Sequence, residues 1–210
     1  MADIAGGIKP WDQRLAERAA RLLARVPWIT PNMVTSFGLC LGLATGFLFA
    51  QGGWIVHVAA LLFMCGVLND HIDGSLARLT KRTSNFGHHF DNVAAGVTYT
   101  AMFVGAGIGL SKGWMGGWAV AAGIIAGLSV TAIFLGRVVV EQKAGSAAIR
   151  QPSFAGFEIE DILYIVGPIT WVGLLGEFIL AAAIGAPLFL TWVVIDALRK
   201  LRDSKRAPAP

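Results

Sequence analysis

The sequence predicts an all-α integral membrane protein in which six transmembrane helices follow an N-terminal amphipathic surface helix. Of the 210 residues, 55% are hydrophobic and 14% are charged, whereas soluble domains carry about 25% charged residues. The apolar residues form several runs of about 20, the length that a helix needs to cross a bilayer. The basic residues collect at one end of these runs. Together these observations predict a single membrane domain over residues 1–210.

The first predicted element is an amphipathic helix over residues 8–26. Apolar residues recur there at intervals of three or four, and arginines occupy the other faces. The apolar positions are Trp11, Leu15, Ala19, Leu22 and Val26. A basic amphipathic helix that carries a tryptophan is typical of a membrane surface. A soluble helix that packs on a partner is the alternative.

Six apolar runs follow, and each is predicted to span the bilayer. Thr30 can cap the first span, and Pro31 fits its first helical position, where a missing N–H has no consequence. The glycine-rich stretches LCLGLATG and GAGIGL predict close helix packing rather than nucleotide-binding loops, because no strand precedes them. The six spans cover about residues 30–50, 54–78, 84–110, 114–139, 162–175 and 178–198, with a basic tail at 199–210.

The distribution of basic residues predicts the orientation of the spans. An even number of spans places both termini on one side. Every lysine and arginine except Lys112 lies in or beside the N-terminal helix, the turn after the second span, the loop after the fourth span, or the C-terminal tail. By the positive-inside rule this side is cytoplasmic. We therefore expect an integral protein of a bacterial inner membrane.

The end of the second span places acidic, small and basic side chains on one helical stripe. The stripe follows the spacing i, i+3, i+4, i+7, i+8, and its members are Asp70, Asp73, Gly74, Ala77 and Arg78. Carboxylates at membrane depth cost about 2.5–3.5 kcal/mol each on insertion scales, so they normally face a polar cavity or a partner. Solvated acids at a helix end, with a snorkelling arginine, are the alternative explanation.

The third span brings a further carboxylate, Asp91, one turn after Gly87. The short LTKRTSN turn predicts antiparallel helices, so the three acids can converge. Converging acids repel one another unless a cation lies between them, and oxygen ligands favour Mg²⁺, Mn²⁺ or Ca²⁺ over zinc. Gly74 and Ala77 leave room for a flat group, and Arg78 suits a phosphate oxygen. The residues predict a metal-dependent site for a phosphorylated ligand, open to the cytoplasm.

The pattern D-x2-D-G-x2-A-R-x8-G-x3-D, over residues 70–91, resembles the signature of the CDP-alcohol phosphotransferases. The TPNMVT start of the first span and the six spans extend the resemblance over most of the chain. The resemblance implies an enzyme of phospholipid biosynthesis. Such enzymes transfer a substituted phosphoryl group from CDP-diacylglycerol or a CDP-amino alcohol to an alcohol hydroxyl, with release of CMP.

The resemblance also implies roles for residues, a cofactor and partners. The cofactor would be Mg²⁺ or Mn²⁺, held by Asp70, Asp73 and Asp91. The substrate-binding positions would be Gly74 and Ala77 against the cytidine, Arg78 on the phosphates, and Gly87. The partners would be the CDP-linked donor, the alcohol acceptor, membrane lipids and a second copy of the chain. Nothing in the sequence predicts a nucleic-acid partner.

Ala95 is a departure from the family signature, which ends G-x3-D-x3-D. The family acid at this position is the general base for the acceptor hydroxyl, and general-base help is typically worth about 10²–10⁴-fold. The chain is therefore an active enzyme that uses another group, a relative that binds without catalysis, or the product of a sequence change. Asp91 and His88 are the candidate catalytic residues, because both share the stripe of Ala95.

Other polar residues are weaker candidates. Glu158, Glu160 and Asp161 rim the cavity or simply favour a helix N-terminus. Arg137, Lys143 and Arg150 bind a phosphate on the acceptor or only set the topology. A transporter is a rival function, but its acids would lie near the midplane rather than at one end of the spans.

Overall fold

The computed structural model describes residues 11–144 and 163–206, and these residues contain helices and no strand. In chain order the helices are α1 (Trp11–Leu23), α2 (Pro31–Gln51), α3 (Ile55–Thr80), α4 (Asn85–Leu110), α5 (Trp118–Ala144), α6 (Val166–Trp171) and α7 (Leu175–Arg206). Within these residues, five helices (α2, α3, α4, α5 and α7) are long and apolar enough to cross a membrane. The all-α membrane class is therefore confirmed.

The last two predicted spans differ from the observed helices. The stretch predicted at 162–175 holds α6, which has six residues and a length of about 9 Å, far below the thickness of a bilayer core. A turn at Gly173, with a φ of 82°, separates it from α7. Helix α7 then continues to Arg206 through most of the predicted tail. Residues 145–162 are outside the described ranges, so the count of six spans stays a prediction.

Side-chain caps set the starts of α2 and α4. The Thr30 Oγ1 accepts a hydrogen bond of 3.3 Å from the Met33 N–H, which confirms the predicted cap. The Ser84 Oγ accepts one of 3.0 Å from the Gly87 N–H. Helix α3 ends at Thr80, and the next residue, Lys81, caps it with a φ of 54° in the left-handed region. A short turn therefore joins the end of α3 to the start of α4.

Glycines bring α2, α4 and α5 into close contact. A Cβ at Gly105 of α4 would overlap the carbonyl of Gly46 on α2. A Cβ at Gly123 of α5 would likewise overlap the carbonyl of Phe103 on α4. Small residues at helix interfaces allow such close approach of backbones. The prediction that the glycine-rich stretches serve helix packing is confirmed.

Helix α2 packs extensively on both α3 and α4, whereas α3 and α4 barely touch each other. The large buried side chains of the core include Phe49 on α2, Phe63 on α3 and Phe103 on α4. Because α3 and α4 are held apart by α2, a polar cavity opens between them near their connecting turn.

The outer surface has the features of a membrane protein. All seven tryptophans are exposed, as expected for aromatic side chains at membrane interfaces. Lys112, the exception to the charge asymmetry, donates hydrogen bonds to the carbonyls of Ala50 and Gln51 at 3.3 and 3.0 Å. Its charge therefore stabilises the C-terminus of α2.

Helix α1 lies within the predicted range 8–26, of which residues 1–10 are not described. It packs on α3 through Ala16 and Ala20, which are fully buried, and leaves Trp11, Leu15 and Leu22 exposed. These are three of the five apolar residues that the periodicity singled out; the other two, Ala19 and Val26, are partly buried. Its contact with a membrane surface stays a prediction.

Candidate active site

Two polar contacts fix the last turns of α3 against the start of α2. The Asn69 Nδ2 donates a hydrogen bond of 2.8 Å to the carbonyl of Val34. The Thr35 hydroxyl donates one of 2.7 Å to the Asp73 Oδ2. All four residues are buried. These contacts set the direction in which the acidic stripe of α3 faces.

A cavity of about 430 Å³ opens between the start of α2, the end of α3 and the start of α4; we call it the main cavity. Its volume is within the range of ligand-binding pockets, about 300–1,000 Å³. The predicted site residues that line it are Asp73, Gly74, Ala77, Arg78, Gly87, His88 and Asp91. The structure therefore brings together most of the stripe of α3 and the first turns of α4.

A second cavity, of about 20 Å³, lies deeper between the same helices; we call it the small cavity. Asp70, Asp73 and Ala95 line it together with uncharged residues. Its volume is enough for about one water molecule. Asp73 lines both cavities and so connects Asp70, on the small cavity, with Asp91, on the main cavity.

The carboxylates of the main cavity can serve as ligands of a divalent cation. Asp73 and Asp91 are close enough to interact electrostatically across the main cavity. Their carboxylate oxygens suit Mg²⁺ or Mn²⁺, and Mg²⁺ commonly takes one or two carboxylates together with waters and substrate phosphates. No three His, Cys, Asp or Glu side chains of the described residues form a ready metal site. The arrangement thus fits an ion bound by two carboxylates and ligand oxygens better than a preformed cage.

The small residues of the motif leave free space along the helices that line the main cavity. A Cβ at Gly74 would meet only the Arg78 Nη1, at 3.5 Å. The Arg78 Nη2 donates a hydrogen bond of 3.2 Å to the Ser75 Oγ. A Cβ at Gly87 would lie 3.1 Å from both the Asn32 Oδ1 and the Ser84 Oγ. Gly87 therefore also allows α4 to approach α2.

His88 and Ala95 are on different cavities. His88 is exposed on the wall of the main cavity, and its Nε2 lies 3.5 Å from the Asn92 Nδ2. Ala95 lies on the small cavity, seven residues or about 10.5 Å further along the helix. The His88 side chain therefore does not occupy the position at Ala95, where the resemblance to the family signature implies an acid.

Other predicted residues lie beyond what the structure describes in full. Arg137 and Lys143 are in α5, but their side chains are not described. Arg150, Glu158, Glu160 and Asp161 are outside the described residues. Their roles in acceptor binding or catalysis stay predictions.

The sequence model of the family described as CDP-alcohol phosphatidyltransferase matches residues 28–197. Since this match covers most of the chain, the protein belongs to the CDP-alcohol phosphatidyltransferase family.

Two curated relatives are similar over part of the chain. One is a CDP-diacylglycerol–glycerol-3-phosphate 3-phosphatidyltransferase of Cereibacter sphaeroides, 38% identical over 69 residues that cover 32% of this chain and 31% of the relative. The other is an archaetidylinositol phosphate synthase of Pyrococcus horikoshii, 29% identical over 107 residues that cover 51% of this chain and 55% of the relative. The chain thus spans only about a third to a half of the length of these relatives.

Solved structures of a Mycobacterium tuberculosis phosphatidylinositol phosphate synthase are similar over nearly the whole chain. The structure with manganese and citrate has a TM-score of 0.69 at 22% identity and covers 87% of this chain and 88% of its own. The structure with CDP-DAG bound has a TM-score of 0.62 at 23% identity, and the match covers 90% of this chain and 92% of the mycobacterial chain. These likenesses show a shared fold.

Proposed function

We propose that the protein transfers a substituted phosphoryl group from a CDP-linked donor to the hydroxyl of an alcohol and releases CMP. The observation that carries this proposal is the main cavity, which motif residues of both α3 and α4 line. The membership of the family and the phosphatidyltransferase names of the relatives support the reaction class.

The proposed donor is CDP-diacylglycerol, with a CDP-amino alcohol as the alternative. The neighbour of known structure has CDP-DAG bound, and the Cereibacter relative is named for this donor. Because the main cavity is at the end of membrane-spanning helices, a lipid-linked nucleotide can reach it from the bilayer while a polar acceptor enters from water.

The proposed cofactor is Mg²⁺ or Mn²⁺, held by Asp73 and Asp91 with Asp70 beside them. A structure of the mycobacterial neighbour contains manganese. When bound, such an ion neutralises charge on the phosphate oxygens during transfer. Thr35 orients Asp73 through its hydrogen bond.

The remaining motif residues bind the donor. Arg78 contacts the phosphates. Gly74 and Ala77, which have no bulky side chain, leave room for the cytidine. The position of these residues on the main cavity supports both roles. Arg137, Lys143 and Arg150 are proposed to bind a phosphate on the acceptor.

A second candidate function is binding of CDP and metal without turnover. The observation that favours it is Ala95, a methyl group beside Asp70 and Asp73 where the family motif has an acid. In the active enzyme, His88 or a bound water accepts the proton of the acceptor hydroxyl.

The proposed setting is a homodimer in a bacterial inner membrane, with the main cavity facing the cytoplasm.

Release of CMP tests the proposal. The purified chain is incubated with Mg²⁺ or Mn²⁺, labelled CDP-diacylglycerol or a CDP-amino alcohol, and a panel of alcohols. We expect CMP release that depends on one acceptor and that Asp73→Asn abolishes. Glu177→Gln, an exposed acid at the start of α7, is the control and keeps the activity. If CMP is released no faster than without protein for every donor and acceptor, the transferase activity is ruled out. Binding of CDP and metal without turnover is then the function that remains.

A further inference from the structure

A buried acid on α1 contacts the helix that carries the metal-binding stripe. Asp12 is 1% exposed, although an acid on a surface helix would normally face water. Its Oδ2 lies 3.0 Å from the His71 Nε2 of α3, and its Oδ1 accepts a hydrogen bond of 2.7 Å from the Gln13 N–H. His71 lies between the motif residues Asp70 and Asp73 in the chain, on a different face of α3 from the acidic stripe.

The contact completes a set that holds α3 from two sides. Residues of an α-helix are about 100° apart, so Asn69 and Asp73 lie on the side of α2 and His71 lies nearly opposite. Asn69 and Asp73 bond to α2, and His71 meets Asp12 of α1. Three residues within five positions are therefore tied to two neighbouring helices.

We propose that Asp12 is a positioning residue: through His71 it fixes the rotation of α3 and thereby the places of Asp70 and Asp73 at the two cavities. This inference rests on the proposed metal-binding role of these acids. Side-chain ends lie about 5–6 Å from a helix axis, so a rotation of about 10° moves a carboxylate by about 1 Å. A displacement of about 1 Å can lower the rate by about 10²-fold.

The attachment of α1 does not depend on Asp12 alone. Ala16 and Ala20 pack fully buried on α3, and the rings of Trp11 and Tyr164 have centroids 5.3 Å apart. Loss of the carboxylate is therefore expected to loosen the rotation of α3 while α1 stays in place. A purely structural role for Asp12 would instead lower the stability and leave the metal site unchanged in the folded protein.

Binding of Mn²⁺ to the purified full chain, measured by electron paramagnetic resonance, separates these roles. Asp12→Ala is expected to weaken Mn²⁺ binding by about tenfold, the scale of losses when a group that orients metal ligands is removed. Asp12→Asn keeps the size of the side chain and a polar oxygen beside the His71 ring, and it is expected to restore binding to within about threefold of the parent. Glu17→Ala, which removes an acid of the same helix that pairs with Arg21, is the matched control and keeps the parent affinity.

A second variant tests the contact from the other side. His71→Phe keeps a ring of similar size and removes the nitrogen that meets Asp12. The double variant Asp12→Ala/His71→Phe is expected to bind Mn²⁺ no more weakly than either single variant, since the two changes break one contact. His71→Phe alone also provides the test if Asp12→Ala does not fold.

The outcomes distinguish this inference from the proposed function. Parent-like Mn²⁺ affinity in folded Asp12→Ala and His71→Phe, with only a lower melting temperature, overturns the positioning role. The proposed function is contradicted by a different result: the parent binds no Mn²⁺, or binds it in a way that Asp73→Asn does not affect.

Discussion

The hydroxyl of Thr35 donates a hydrogen bond of 2.7 Å to the Oδ2 of Asp73, across the interface of α2 and α3. The same hydroxyl lies 3.2 Å from the carbonyl of Pro31, but its one proton favours the shorter contact with the carboxyl group. Thr35 and Asp73 both line the main cavity and the small cavity. The orientation of the central acid therefore depends on a residue outside the signature.

Thr35→Val keeps the shape of the side chain and removes this hydrogen bond. Because residues that orient metal ligands are typically worth 10–100-fold in affinity or activity, we expect Mn²⁺ affinity and kcat/KM to fall by about tenfold, while Thr35→Ser stays near the parent. Thr170→Val is the matched control, since this buried hydroxyl donates only to Val166 of its own helix. Equal affinities of Thr35→Val and Thr170→Val would refute the orienting role.

Arg78→Lys tests the contact with the donor phosphates. Lysine keeps the positive charge but lacks the fork of N–H groups that arginine offers to a phosphate. A hydrogen bond to a charged group is worth about 1.5–3 kcal/mol, so we expect KM for the CDP-linked donor to rise by about tenfold or more with a smaller change in kcat. Arg21→Lys, on the exposed face of α1, is the control. A loss confined to kcat would place Arg78 in another role.

Ala95→Asp restores the carboxylate of the family signature on the small cavity. If the chain is an active enzyme that lacks a general base, the rate of CMP release should increase by about 10²-fold or more. An unchanged rate together with unchanged Mn²⁺ affinity would favour the non-catalytic binder. The measurement compares initial rates of the two proteins at saturating donor and acceptor.

Gly105→Ala tests the close packing of α4 on α2. The added Cβ would overlap the carbonyl of Gly46, and overpacking of this kind typically costs about 1–3 kcal/mol. We expect a clearly lower melting temperature in detergent. Gly136→Ala, where a Cβ would meet nothing within 4 Å, should melt at or slightly above the parent temperature. Equal melting of the two variants would contradict the observed packing.

The sequence was informative where a pattern is local to one helix. Asp73, Gly74, Ala77 and Arg78 are close in the chain, so helical periodicity alone places them on one stripe, and the structure gathers them on the main cavity. The Thr30 cap and the close packing of the glycine-rich stretches were predictable for the same reason, since residue type and spacing decide them.

Contacts between distant residues were not predictable. The TPNMVT stretch contains Thr35, but nothing in the sequence pairs Thr35 with Asp73 or Asn69 with Val34, because the partners are 38 and 35 positions apart. The periodicity of the N-terminal helix did not single out Asp12, which is buried where α1 packs on α3. The separation of α3 from α4 also depends on α2, so the split of the acids between two cavities has no local signal.

The central claim is that the main cavity binds the CDP group together with a divalent cation. Thermal unfolding of the purified chain with CDP, with and without Mn²⁺, tests it most directly, alongside Asp73→Asn and Glu177→Gln. The account predicts that CDP raises the melting temperature of the parent and Glu177→Gln only when Mn²⁺ is present, and that Asp73→Asn loses this increase. An increase that is independent of Mn²⁺, or that persists in Asp73→Asn, would contradict the account.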